Sequence, residues 1–293
     1  MVKVLLVSGL LTHDSGKTWF SVGLAKYLVG SGFRVSMYKP VAAHNAWTQY
    51  FTVVKSEELK LLVGSDVLTY LSSGLVSVDE LPLVNPVDLL LAPPDVINYL
   101  RRGGEYVYNY LTDLTNQFTQ VVIARITSCT TNTYEHFRID SNLGNVVSSL
   151  RDDLIELSRC LKSKSIDIKE LINLLTSQAI ESNLNTCLKK LSDSKDVVVV
   201  ESFNDAITPY ISLLNYVDVI ALVSYGRVLL INDIGMVKEL ISKGFVGRGY
   251  EILRASNILK ELKPSSIFEI KPSLYIERYD DVFKSMAKEL MNY

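Results

Sequence analysis

The chain is short of cysteine, carries no excess of either charge and has no long apolar run, and each shortage excludes something. Its three cysteines, Cys129, Cys160 and Cys187, are widely spaced. They show neither the pattern of a disulfide framework nor the ligand spacing of a zinc site. Thirty basic against 32 acidic side chains give a formal net charge of −2. That excludes the broad positive field of a dedicated nucleic-acid binder. Apolar stretches such as Val197-Val198-Val199-Val200 fall far short of the ~20 residues that cross a bilayer. The opening residues, Met1-Val2-Lys3-Val4-Leu5, run straight into a strand pattern without the layout of a cleavable signal. The expectation is a soluble, cytoplasmic protein that engages neither membrane nor nucleic acid. Repeats and low-complexity tracts are also missing. What is present is 293 residues, 48% of them apolar and 21% charged, enough for a substantial core.

Short β-branched runs alternate with turns and longer amphipathic segments, which predicts an α/β architecture with a mostly parallel sheet. The pattern places strands at 2–8, 34–38, 196–201, 217–223 and 266–270. Helices are expected at about 17–29, 56–63, 66–73, 95–101, 234–243 and 280–291. Pro82, Pro86, Pro93 and Pro94 suggest an irregular connection before 95. The middle differs: residues 105–139 look like paired antiparallel strands turning at about 130–133, and 145–192 look mostly helical. The expected organisation is therefore one domain over 1–293, with an inserted β/α elaboration at about 101–165.

The chemistry is concentrated after the first strand, in Ser8-Gly9-Leu10-Leu11-Thr12-His13-Asp14-Ser15-Gly16-Lys17-Thr18. Successive backbone N–H groups at a helix start cradle phosphate oxygens, and the helix dipole favours their charge. Gly16 lets the backbone approach, Lys17 can reach β- and γ-phosphates, and the Thr18 hydroxyl can hold Mg²⁺. The span Thr12, His13, Asp14, Ser15, Gly16, Lys17 and Thr18 is thus the candidate nucleotide cradle. Leu11 stands where the usual loop has its first glycine. A second group, Tyr38-Lys39-Pro40-Val41-Ala42, ends the second strand at the edge where open α/β sheets bind ligands. Lys39 there can neutralise a phosphate or a carboxylate. His44 and Trp47 follow closely and suggest either substrate contact or a packed loop. Asp88, Asp95 and Arg227 look like surface or capping charges.

Lys39-Pro40-Val41-Ala42, Ser65-Asp66 before a helix, Val84-Asn85-Pro86, the strand ending in Glu201, and Pro264 to Ile270 together resemble dethiobiotin synthetase. That family consists of ATP-dependent carboxylating cyclo-ligases of P-loop NTPase fold. The resemblance covers roughly residues 1–100 and 193–275. It implies ATP and Mg²⁺ as cofactors, with Lys17 on the phosphates and Thr18, Asp66 and Glu201 as metal ligands, directly or through water. It makes Lys17 and Lys39 the catalytic pair, with Lys39 beside the transferring phosphoryl group. The partners implied are a nucleotide and a small-molecule substrate, and the family relation admits a homodimer. Ser202-Phe203-Asn204-Asp205 replaces the family's Gly-rich stretch, so the substrate need not be the family's own. No counterpart of its adenine-reading segment follows the 234–243 helix.

Two further readings stay open. One is a nucleotide-switched ATPase of the partitioning and cell-division type, although the extra lysine of that group is Thr12 here. The other is an ATP-binding protein without catalysis, whose insertion serves as an interaction surface.

Overall fold

The computed structural model describes residues 2–12, 15–101, 104–271 and 280–291. Within them the chain forms strands β1 (Lys3–Gly9), β2 (Val35–Tyr38), β3 (Val41–Asn45), β4 (Val87–Leu91), β5 (Val121–Ser128), β6 (Thr133–Arg138) and β7 (Lys164–Ser165). These are followed by β8 (Val197–Glu201), β9 (Val219–Ser224), β10 (Arg227–Ile231) and β11 (Ser266–Glu269). The first three long helices are α1 (Lys17–Gly30), α2 (Phe51–Leu59) and α3 (Ser65–Ser72). It is an α/β protein with a mainly parallel six-stranded sheet flanked by helices and a second, mixed sheet. Two compact units divide the chain.

The first unit, Met1–Val41, Thr69–Val84 and Leu184–Tyr293, holds the six-stranded sheet in the order β11-β10-β9-β1-β8-β2. The unbroken valines of β8 are buried throughout, as a strand covered on both faces requires. β1 lies between β8 and β9 and is parallel to both, with Leu5 opposite Val199 and Val219. β2 extends this parallel core to one edge, while β10 and β11 add two antiparallel strands on the other side, with β11 outermost. Parallel neighbours bring the ends of β1, β2 and β8 to one edge, and the candidate site lies there. α1 packs on this core through Phe20, whose ring centroid is 5.8 Å from that of Phe283.

The second unit, Ala42–Leu68 and Asn85–Asn183, holds the sheet β3-β4-β5-β6-β7. Its core gathers Val53 from α2, Leu90 and Val122 from the sheet, and Leu150, Leu154 and Leu157 from the helix Ser148–Cys160. The i, i+4, i+7 spacing of those leucines is the apolar stripe of an amphipathic helix. The elaboration expected at 101–165 falls inside this unit, which takes in more of the chain on both sides.

Several elements differ from the sequence expectation. Residues 106–115 form a helix, Tyr106–Thr115, in place of the expected strand. Val107, Tyr108 and Tyr110 have high β propensity. The half-buried positions are nevertheless Tyr106, Tyr110, Asp113 and Leu114, a helical period. α2 starts at Phe51 rather than 56 and ends at Leu59, where Lys60, at φ 52°, turns the chain out of the helix. β4 occupies the segment expected to be irregular, because Pro86 and Pro93 flank it without interrupting it. β3 follows Pro40 immediately, and β10 forms a hairpin with β9 through Tyr225 and Gly226, the glycine at φ 69°. Cys129 and Cys187 are each disulfide-bonded and Cys160 is free, against the expectation of no disulfide. Sequence spacing alone does not report which cysteines a fold brings together. No helix among the described residues is long and apolar enough to cross a membrane.

Candidate functional site

The segment expected to cradle phosphate leaves β1 at Gly9 and enters α1 at Lys17. Gly16 is the residue before the helix and has φ 86°, ψ 13°, the left-handed conformation that glycine adopts without a Cβ penalty. The Gly16 carbonyl accepts the Phe20 N–H at 3.0 Å, which starts the helix. Lys17 is buried, and its Nζ donates to the Asn204 carbonyl at 2.8 Å and to Ser15 Oγ at 3.3 Å. A Cβ on Gly9 would lie 2.7 Å from Ser15 Oγ, 2.8 Å from Lys17 Nζ and 2.9 Å from the Asn204 carbonyl oxygen. Gly9 therefore creates the space into which the lysine folds. Ser15 is buried and Thr12 is exposed, whereas His13 and Asp14 lie outside the described residues.

Glu201, at the end of β8, is the focus of the site. Its carboxylate is buried, and Oε1 accepts both Thr18 Oγ1 at 2.9 Å and Lys39 Nζ at 2.8 Å. Oε2 accepts the Tyr70 hydroxyl of α3. Lys39 also donates to the Ser202 carbonyl at 3.1 Å, and the Lys39–Glu201 ion pair is almost fully removed from solvent. Such a pair is favourable only when its remaining lone pairs find donors, which Thr18 and Tyr70 supply here. Thus Lys17, Thr18, Lys39 and Glu201, drawn from separate stretches of sequence, meet at one edge of one sheet. Lys39 is directed at the site carboxylate and not at bulk solvent. Asp66 lies in the first turn of α3 and belongs to the second unit. Tyr70 is absent from the sequence expectation, because a lone tyrosine on a helix gives no sign that it meets a carboxylate 131 positions away.

A second buried polar cluster lies wholly in the second unit. Asp88 on β4, expected at the surface, is fully buried. Its Oδ1 is 3.6 Å from His44 Nε2, and its Oδ2 is 3.9 Å from an Arg125 guanidinium nitrogen. Arg125 on β5 donates to the Leu62 carbonyl, Thr127 Oγ1 and Asn85 Oδ1 at 2.8–3.1 Å. Burial pushes the Asp88 carboxyl up, against the opposing pull of His44 and Arg125. Burial likewise lowers Arg125 to about 10. His44 Nδ1 is 2.7 Å from Thr52 Oγ1, whose own hydroxyl donates to the Gln49 carbonyl. Nδ1 is accordingly the protonated nitrogen. A Cβ on Gly64 would come within 3.2 Å of the His44 ring, so the cluster also depends on a glycine.

Trp47, by contrast, is 58% exposed. The His44–Trp47 segment thus splits into an inward histidine and an outward indole. Asp95 accepts the Ile97 N–H at 3.0 Å before the short helix Ile97–Leu100, and Arg227 pairs with Glu269 at the surface. Both are the capping and surface charges expected of them. Among the described residues no group of three or more His, Cys, Asp and Glu side chains could hold a metal ion by themselves. No family model and no curated protein matches this chain.

Proposed function

We propose that the protein is a Mg²⁺-dependent, ATP-binding P-loop enzyme that activates a carboxylate or carbamate of a small molecule by phosphorylation, in the cytoplasm. The observation that carries the reading is the convergence of Lys17, Thr18 and Lys39 on the Glu201 edge of a parallel sheet, at the start of a helix. Open α/β sheets bind ligands at that edge, and a helix N-terminus favours phosphate. The Lys17 ammonium donates to the neutral oxygens of Asn204 and Ser15, which phosphate oxygens can replace at a gain in charge attraction. Thr18 and Glu201 bring a hydroxyl and a carboxylate together, a hard oxygen set that suits Mg²⁺. Bound there, the ion would offset charge on the transferring phosphoryl group. Lys39 would share that task, and Glu201 holds its ammonium in place. Disulfide-bonded cysteines are rare in reducing compartments, so Cys129 and Cys187 are the feature that fits the cytoplasmic placement least well.

Calorimetric titration with ATP and Mg²⁺ tests the proposal. Lys17→Ala removes a charge-assisted contact of ~1.5–3 kcal/mol, so affinity should fall roughly ten- to a hundredfold. Equal affinity in the variant and the parent would remove the phosphate-site reading.

A further inference from the structure

Glu201 receives donors on both oxygens, and the two sides differ. Oε1 faces Thr18 and Lys39, which come from α1 and the end of β2, the elements that carry the phosphate-facing chemistry. Oε2 faces Tyr70, fully buried on α3. A buried phenol needs an acceptor, and a charged carboxylate is the strongest acceptor a side chain offers. A carboxylate gripped at one oxygen cannot rotate freely, so the direction of the other oxygen is set by the first bond.

We infer that Tyr70 is a positioning residue: by holding Glu201 Oε2, it aims Oε1 at the place where Thr18 and Lys39 meet, and so tunes how a divalent cation is held there. The inference rests on the reading of this edge as a nucleotide and metal site. It goes further by assigning a role to a residue outside the phosphate loop and both candidate lysines. In this reading Tyr70 acts through the carboxylate it holds. Removing its hydroxyl leaves Glu201 paired at Oε1 alone. The carboxylate then turns toward Lys39 and presents a less defined oxygen to a cation. Binding of the nucleotide without a divalent ion runs through Lys17 and the loop backbone, so it does not depend on Tyr70.

Tyr70→Phe keeps the ring in its buried place and removes only the donor. Tyr38→Phe is the matched comparison, because Tyr38 is also fully buried in the first unit but donates to the Leu184 carbonyl. The probe is Mn²⁺, followed by electron paramagnetic resonance with a non-hydrolysable ATP analogue present. The analogue alone is titrated separately in the presence of a chelator. Both variants should lose some thermal stability. Only Tyr70→Phe should weaken Mn²⁺ binding, by about fivefold or more, while analogue binding in chelator stays within about twofold of the parent. Parental Mn²⁺ affinity in Tyr70→Phe, or an equal loss in Tyr38→Phe, would overturn the inference and leave the phosphate-site reading intact. A parent protein that binds no analogue and no Mn²⁺ would bring down both.

Discussion

The two lysines of the candidate site have different described partners. Lys17 is bonded to a carbonyl and a hydroxyl, whereas Lys39 is locked to a buried carboxylate. Removing Lys39 alone strands Glu201 without its counter-charge, a change that costs about 3–5 kcal/mol for a buried pair. Lys39→Met combined with Glu201→Gln removes both charges and keeps the volume. The double variant should therefore be less destabilised than the sum of the two single ones, by at least ~1 kcal/mol in a denaturant-melt cycle. Additivity would show that the pair is not energetically coupled. At this scale the sequence is legible where chemistry is contiguous. Gly16, Lys17 and Thr18 are adjacent, and their spacing already implies a helix start. Asp88 reads as a surface charge although a signal of its burial exists. Asp88 and Arg125 each interrupt an apolar strand-like run, Val87 to Leu91 and Val121 to Ile126, with charges of opposite sign. Charges placed that way on neighbouring strands of one sheet find each other.

At the scale of elements, the start of α1 depends on two glycines for different reasons. Gly16 needs its left-handed φ, yet a Cβ added there would meet nothing within 4 Å, so Gly16→Ala brings backbone strain of about 1–2 kcal/mol and no clash. Gly9→Ala has the reverse problem. Its methyl would displace Lys17 Nζ, Ser15 Oγ and the Asn204 carbonyl, and the last of these is backbone that cannot swing away. Gly9→Ala should consequently weaken the proposed ATP binding by at least about tenfold through the displaced lysine, and Gly16→Ala should lower the melting temperature through backbone strain. Parallel calorimetry and thermal melts on the two variants separate the effects, and an unaltered affinity in Gly9→Ala would contradict the packing argument. The buried strands β1, β8 and β9 are readable because their apolar runs are long and β-branched. The helix Tyr106–Thr115 is not, because local β propensity and the burial period disagree there, and burial prevails. β10 is set by its hairpin with β9, β11 pairs on its other side at the sheet edge, and only β11 is expected from the sequence.

For the whole molecule, the two units carry different acid sensitivities. In the second unit, burial and the Arg125 charge lower His136 to about 4, opposed only weakly by the Leu161 backbone. Its Nε2 accepts the Leu62 N–H at 3.1 Å, which fixes the neutral form in the fold. An imidazole whose folded pKa lies below its unfolded value of 6.5 favours the native state above pH 6.5 and loses that favour as pH falls toward 4. The full difference is about 3 kcal/mol, and about 2 kcal/mol of it should be gone by pH 5. Burial lowers His44 too and adds to the loss, while the raised Asp88 carboxyl works in the opposite direction as it takes up a proton. In the first unit, the hydrogen bonds and charge of exposed Arg34 hold Asp196 down to about 2, so its contribution fades only between pH 4 and 2. Acidification from pH 7 to 5 should thus loosen the second unit before the first. Hydrogen exchange of peptides from 85–183 should accelerate over that interval, while peptides from β1, β8 and β9 hold their protection. His136→Gln keeps an acceptor for the Leu62 N–H and cannot titrate, so it should flatten most of the pH dependence in the second unit. Equal acceleration of both units, or an unchanged pH profile in His136→Gln, would assign the acid response to other groups.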